Sequence, residues 1–186
     1  MCKARLVASL LTLVLVMTPW ASPSPAQAAS AAEINKDASA ALARRFEKVP
    51  EARKLAAEAK GILIFPSIVK AGFLFGGQYG EGVLRKGGKV AGYYNSVAAS
   101  YGLQAGVQSF GYALFFMTDS AIQYLEKSKG WEVGSGPSLV VVDEGFAKSL
   151  STTTLSQDVY AFIFNQKGLM GGIGIQGSKI TRIHPK

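Results

Sequence analysis

The residue types that do most enzyme chemistry are scarce in this chain. His184 is the single histidine, the third residue from the C-terminal end of the sequence. One histidine cannot supply a multi-histidine metal site, and its position makes a frayed, solvated ring the expectation over a triad base. Cys2 is the only cysteine, so no disulfide forms within the chain and no thiolate is expected beyond the leading segment. The carboxylates Glu81, Asp119, Glu132, Asp143, Glu144 and Asp158 show no spacing that favours an acid–base pair. Caps, turns and solvated edges are their expected uses, and Asp143-Glu144-Gly145 has the form of a strand-ending turn. Gly172-Ile173-Gly174-Ile175-Gln176-Gly177 matches the dinucleotide fingerprint as a string. That fingerprint opens a helix and needs an acidic ribose ligand about 20 residues on; here a strand-like Lys179–Ile183 and the end of the sequence follow. No enzyme, metal or cofactor is expected.

Cations are the chemistry this sequence does carry. The formal charge is +8, unevenly placed. The stretches 33–60, 61–95 and 146–186 are net basic, while 96–145 is net acidic. Two clusters stand out, Arg44, Arg45 and Lys48 on a helical stretch, and Arg85, Lys86 and Lys89 around Gly87-Gly88. On a helical projection Arg44 and Lys48 flank the apolar stripe, and Arg45 falls inside its edge. Such a helix can lie in a lipid interface with Ile34, Leu42 and Phe46 dipping inward, or pack that stripe on a sheet, the usual fate. Three cations about a glycine turn can hold phosphate or keep a sheet edge soluble. Each cation near an anionic surface contributes about 1 kcal/mol, so neither cluster alone binds tightly. Aromatic and basic residues also interleave in the manner of single-strand nucleic-acid binders. The aromatics fall at strand parity, however, so most are expected in the core, and nucleic acid is not expected as a partner.

The elements that would position these groups begin after a leader. Lys3 and Arg5 precede an apolar run from Leu6 to Met17, then Pro19, Pro23, Pro25 and Ala26-Gln27-Ala28. This is the pattern of a secretory signal peptide over 1–28, cleaved before Ala29, and it predicts an exported, periplasmic protein, peripheral on a membrane surface. Without Lys3 and Arg5 the charge falls to +6. Residues 29–186 suffice for one domain.

Residues 30–60 are rich in helix formers, with an apolar stripe of Ile34, Ala38, Ala41, Leu42, Phe46 and Val49. Pro50 breaks the stretch and starts a second helix to Ala59, with Gly61 as its stop. Strand texture follows. In 69–86, Phe73, Phe75, Tyr79 and Val83 share one parity, and Gly72, Gly76, Gly80 and Gly82 the other. Glycine on one face permits strong bending or close approach of another element. Gly87-Gly88 fits a two-residue hairpin turn. Strands are predicted at 90–100, 101–117, 139–142, 159–164, 169–176 and 179–183. A short helix is predicted from Ser120 to Lys127, capped by Asp119, and a loop at 147–157. Helices followed by hairpin-linked strands predict an α+β fold, with N-terminal helices packed on a curved, largely antiparallel, barrel-like sheet.

Three stretches, in order, carry a family resemblance. They are Ala59-Lys60-Gly61-Ile62-Leu63-Ile64-Phe65-Pro66 with Lys70-Ala71-Gly72-Phe73 and Tyr79-Gly80-Glu81-Gly82-Val83; Tyr101-Gly102-Leu103-Gln104-Ala105-Gly106 running on to Met117-Thr118-Asp119; and Lys167-Gly168-Leu169-Met170-Gly171-Gly172 with Gln176-Gly177-Ser178-Lys179-Ile180. Together they resemble the SYLF domain, named after SH3- and FYVE-containing eukaryotic proteins, over roughly residues 40–183. The resemblance implies binding of membrane lipids, by phosphoinositide recognition in animal members, with lipid contact associated with the N-terminal amphipathic helix. It also implies actin binding in a yeast branch, which is not expected here. The expected partner is an anionic membrane surface, phospholipid or phosphoinositide-like. The expected lipid-binding residues are Arg44, Arg45, Lys48, Arg85, Lys86 and Lys89. Two alternatives stay open: a small outer-membrane β-barrel, and a structural or adhesive surface protein whose lipid contact is incidental.

Overall fold

The computed structural model describes residues 29–142, 156–168, 175 and 177–186. The leader at 1–28, the Asp143-Glu144 turn, most of the loop at 147–157 and nearly all of the 169–176 strand therefore lie outside the described residues. The element order is α1 (Ala31–Lys48), α2 (Pro50–Glu58), β1 (Gly61–Lys86), β2 (Lys89–Phe116), α3 (Asp119–Lys127), β3 (Trp131–Glu132), β4 (Leu139–Val142), β5 (Val159–Gly168) and β6 (Lys179–Ile183).

The fold is α+β. Ser30 starts α1 with a capping box, its hydroxyl accepting from the Glu33 amide while the Glu33 carboxylate accepts from the Ser30 amide, so two of the otherwise orphaned first-turn donors are satisfied. Pro50 occupies the first turn of α2 as predicted, where its missing N–H is not needed. Gly61, however, is not the helix stop. Ala59 is the C-cap, in extended conformation, and Gly61 opens β1 where a Cβ would lie 2.9 Å from Ile122 Cδ1 and 3.3 Å from the Arg85 carbonyl oxygen. Space, rather than a left-handed cap, selects the glycine.

β1 and β2 form one long antiparallel ribbon, registered from Lys86↔Lys89 at the turn to Gly61↔Phe116 at the base. The strands expected separately at 90–100 and 101–117 are thus one. Gly87 and Gly88 both have positive φ, 54° and 76°, the left-handed pair that a type I′ hairpin turn needs. β2 also pairs with β5 through 108–116 and with β6 through 93–97, both antiparallel. β4 lies parallel to β5, and the two-residue β3 pairs with β6. Among the described residues the strand path ends at β3 and β4.

The base of this sheet is buried on both faces. Ile64, Ala113, Phe115 and Phe162 face α1 and α2; Leu63, Leu114, Phe116 and Ala161 face the other side, with α3 and Trp131. Burial on both faces accounts for the unbroken apolar run Ile62–Phe65. Thr118, not Asp119, caps α3, its hydroxyl accepting from the Ala121 amide. Asp119 instead sits in the first turn, where a negative charge complements the helix dipole.

Toward the middle of the ribbon β1 bends back on itself. A Cβ on Gly82 would stand 2.4 Å from the Ile64 carbonyl oxygen, one on Gly80 2.4 Å from that of Ser67, and one on Gly72 2.4 Å from Gly76 Cα. The glycine parity is therefore the inner side of the bend. The bulky parity is outer, on the same sheet face as α1. Phe73 and Phe75 are 74% and 72% exposed, and Tyr79 is exposed as well, three exceptions to the expectation that most strand-parity aromatics belong to the core. Only Val83, farther along, is buried beneath α1.

Candidate functional site

Six cations were expected at a lipid surface, and the fold uses them differently. Arg45 is only 7% exposed, with its guanidinium 5.1 Å from the Phe162 ring centroid. Its position inside the stripe makes it part of the helix–sheet interface, a cation–π contact away from water. Arg85 donates through Nη2 to the Asn35 carbonyl (3.1 Å) and to Ser39 Oγ (2.7 Å), fastening the hairpin to α1. Lys86 forms an ion pair with Glu126 of α3 at 2.6 Å. Lys48 is exposed in the last turn of α1, where a cation complements the carbonyl end of a helix. Lys89 is exposed beside the turn. The apolar stripe of α1 is spent on packing: Ile34, Ala38 and Ala41 are buried, and Leu42 and Phe46 pack against the same cluster.

Arg44 is placed differently. It lines a cavity of about 290 Å³ together with Ser67, Ser109, Asn165 and Lys167, floored by Pro66 and Phe110. Three separate features of the chain build this site. α1 presents Arg44 one position outside its buried stripe. A register shift between Phe65 and Ile68 in β1 turns Ser67 outward. A second shift, where β5 passes from Phe164 to Lys167 against Gly111 and Ser109 of β2, is a bulge carrying Asn165 at φ 54°. Bulges re-aim side chains, and among the described residues Asn165 is the non-glycine position with positive φ. Two guanidinium or ammonium heads, two hydroxyls and a carboxamide around one opening can hold an anion by charge and by hydrogen bonds.

Lys167, Ser67, Ser109 and Asn165 were not among the expected site residues. Lys167 opens the third family-like stretch, the only signal that bore on it. The rest depend on register shifts that no periodicity announces.

The cavity adjoins the outer face of the bent ribbon. Ser109 pairs directly with Val69. From there Val69, Ala71, Phe73, Phe75, Gly77 and Tyr79, with Val97, Ala99 and Val107 across the ladder, are all exposed on one face. No charged residue occurs between Lys70 and Glu81, or between Lys89 and Asp119. At the far end Glu81 Oε1 accepts from the Tyr79 hydroxyl (2.7 Å) and Oε2 from the Ala29 amide (3.1 Å). Partial desolvation of the hydroxyl on this otherwise exposed side chain, with its hydrogen bond to Glu81, pushes Tyr79 up to about 12, so it stays neutral across physiological pH.

A second cleft, about 310 Å³, runs along Val90–Tyr93 and Arg182–Pro185 and includes the exposed His184. Its guanidinium, on Arg182, donates to the Ala91 carbonyl at 3.3 Å. Among the described residues no helix is long and apolar enough to cross a membrane.

Residues 97–184 match the family model Ysc84, described as "Las17-binding protein actin regulator". No curated protein matches the chain.

Proposed function

From the premise that this chain carries a SYLF-family (Ysc84) domain, we propose that it binds anionic membrane lipids without catalysing a reaction, the headgroup seated between Arg44 and Lys167. The observation that carries this reading is the cavity where those two cations meet Ser67, Ser109 and Asn165 beside an uncharged, exposed sheet face. An anionic lipid presents the same order of chemistry, a charged head joined to an apolar body. The proposed setting is a membrane surface reached after export, on the strength of the leader pattern Lys3, Arg5, Leu6–Met17 and Ala26-Gln27-Ala28. Las17 binding and actin regulation are the words of the family description. The features that support a ligand here are those of a lipid.

Co-sedimentation of the full chain with anionic and neutral vesicles tests the reading. Anionic vesicles are expected to bind more tightly, with a preference that weakens as salt rises. At about 1 kcal/mol per cation, loss of both costs roughly 30-fold in affinity. Arg44→Gln/Lys167→Gln is therefore expected to lose that much, while Lys89→Gln changes binding far less. Equal binding to neutral vesicles, or an unaffected double variant, overturns the proposal.

A further inference from the structure

We propose that the outer face of the bent β1–β2 ribbon, centred on Phe73 and Phe75, inserts into the acyl boundary of an anionic bilayer. This inference rests on the lipid reading above and assigns a second, distinct element to it.

The face is large, apolar and exposed. Phe73 and Phe75 are the most exposed large hydrophobic residues on the molecule's described surface, and Val107, on the neighbouring strand, is 62% exposed. Monomeric proteins seldom leave such residues contiguous unless the patch meets something. The arrangement also costs the fold nothing in cavity-filling. The inner parity is glycine because the backbone of one half of β1 lies against the other; the bulky parity has no interior to enter. The bend is therefore what pushes the two phenylalanines outward, across a register shift between Phe73 and Phe75 that lengthens the β2 side of the turn.

The surroundings point to lipid as the occupant. The face ends at one side on the Val69–Ser109 pair, and Ser109 is a wall of the cavity holding Arg44 and Lys167. Charge next to a wholly uncharged apolar surface matches a lipid's own head-to-tail order. Between Lys70 and Glu81 on β1, and between Lys89 and Asp119 across β2, neither ribbon strand carries a charge. Aromatic side chains on a rigid ribbon lose little conformational freedom on insertion, since only two torsions are fixed.

The chain has no cysteine besides Cys2, which allows a single reporter. In the full chain, Cys2→Ser/Val107→Cys carrying an environment-sensitive fluorophore reports from the proposed face. Cys2→Ser/Gln123→Cys reports from exposed α3 on the opposite side of the sheet. With anionic vesicles the label at 107 is expected to shift to the blue and to be quenched by lipids spin-labelled on their chains; the label at 123 is not. Phe73→Ala/Phe75→Ala is expected to lose roughly 100-fold in vesicle affinity, taking about tenfold for each partly inserted ring, with an unchanged melting temperature. If the label at 107 stays in water while Arg44 and Lys167 still govern co-sedimentation, insertion is wrong and the headgroup site stands. If anionic vesicles do not bind at all, the lipid reading fails and this inference with it. If the double alanine variant leaves vesicle affinity intact and instead dissolves a dimer, the face belongs to a second copy of the chain.

Discussion

Asp158 joins two places that lie far from it in sequence. One carboxylate oxygen accepts from the Thr118 hydroxyl at 3.0 Å, next to the start of α3, and the other accepts from the Ser138 amide (3.0 Å) and hydroxyl (2.9 Å), just ahead of β4. These bonds, the Ser138 amide foremost, hold its carboxyl below the ordinary carboxylate range. A group whose folded-state pKa is lowered contributes stability in full above its unfolded value, about 4, and loses it as pH falls through the folded value. Asp158→Asn is therefore expected to melt lower than the native protein at pH 7, and the gap should close as pH falls below about 4. Thermal melts from about pH 2 to about pH 8, spanning the ordinary carboxylate range, measure it; a gap that ignores pH would assign Asp158 a purely steric role. Arg44 and Arg45 illustrate what sequence does and does not decide at this scale. Adjacent residues with the same head go to opposite fates, because one step along α1 turns a side chain by about 100°, from the cavity to the Phe162 ring. The helical projection anticipated that difference, placing Arg45 inside the stripe edge. It could not supply Lys167, which lines the same cavity as Arg44 only through the β2–β5 register.

At the scale of elements, the ribbon's alternation was legible and its sidedness was not. Bulky residues at strand parity ordinarily mark the buried face. Here glycine marks it, because the approaching partner is backbone, leaving no room for a Cβ. Two alanine substitutions separate these roles. Gly82→Ala would thrust a methyl to 2.4 Å from the Ile64 carbonyl oxygen and 2.7 Å from Phe65 Cδ1. Overpacking of that kind costs about 1–3 kcal/mol. Gly77→Ala, on the outer face, meets nothing closer than the Ala98 carbonyl oxygen at 3.8 Å, and surface changes of that kind stay within about 0.5 kcal/mol. Chemical denaturation of the two variants should show a clear loss for the first and little change for the second. Helix limits were legible at Pro50, and the strand ends at Leu139 and Lys179 were also recovered from sequence. The α3 cap shifted by one residue because Thr118 and Asp119 are both good capping types. β3, two residues long, carries too little pattern to be seen.

Across the whole molecule, one sheet face is finished by helices and then continues bare. α1 and α2 cover Ile64, Val83 and Phe115, while Val69 to Tyr79 on the same face has no cover among the described elements. A sequence pattern can give the amphipathicity of each piece, but not where one element's coverage stops. The fold class and the family resemblance were accessible because they depend on order along the chain. The cavity was not, because it joins residues 44, 67, 109, 165 and 167 from four elements or their flanks.

The hairpin turn also has a bearing on how this molecule comes to exist. Its ladder pairs run from near neighbours at Lys86–Lys89 to residues distant in sequence at Gly61–Phe116. Each added rung closes only a slightly larger loop, and the entropic cost grows slowly with length. Assembly can thus proceed as a zipper from Gly87-Gly88, with the base strands, onto which α1 and β5 dock, meeting last. Replacing both turn glycines by alanine, at φ values alanine resists, is then expected to slow refolding far more than it speeds unfolding. Stopped-flow chevrons give the ratio directly, and a change confined to the unfolding arm would place the start of folding elsewhere.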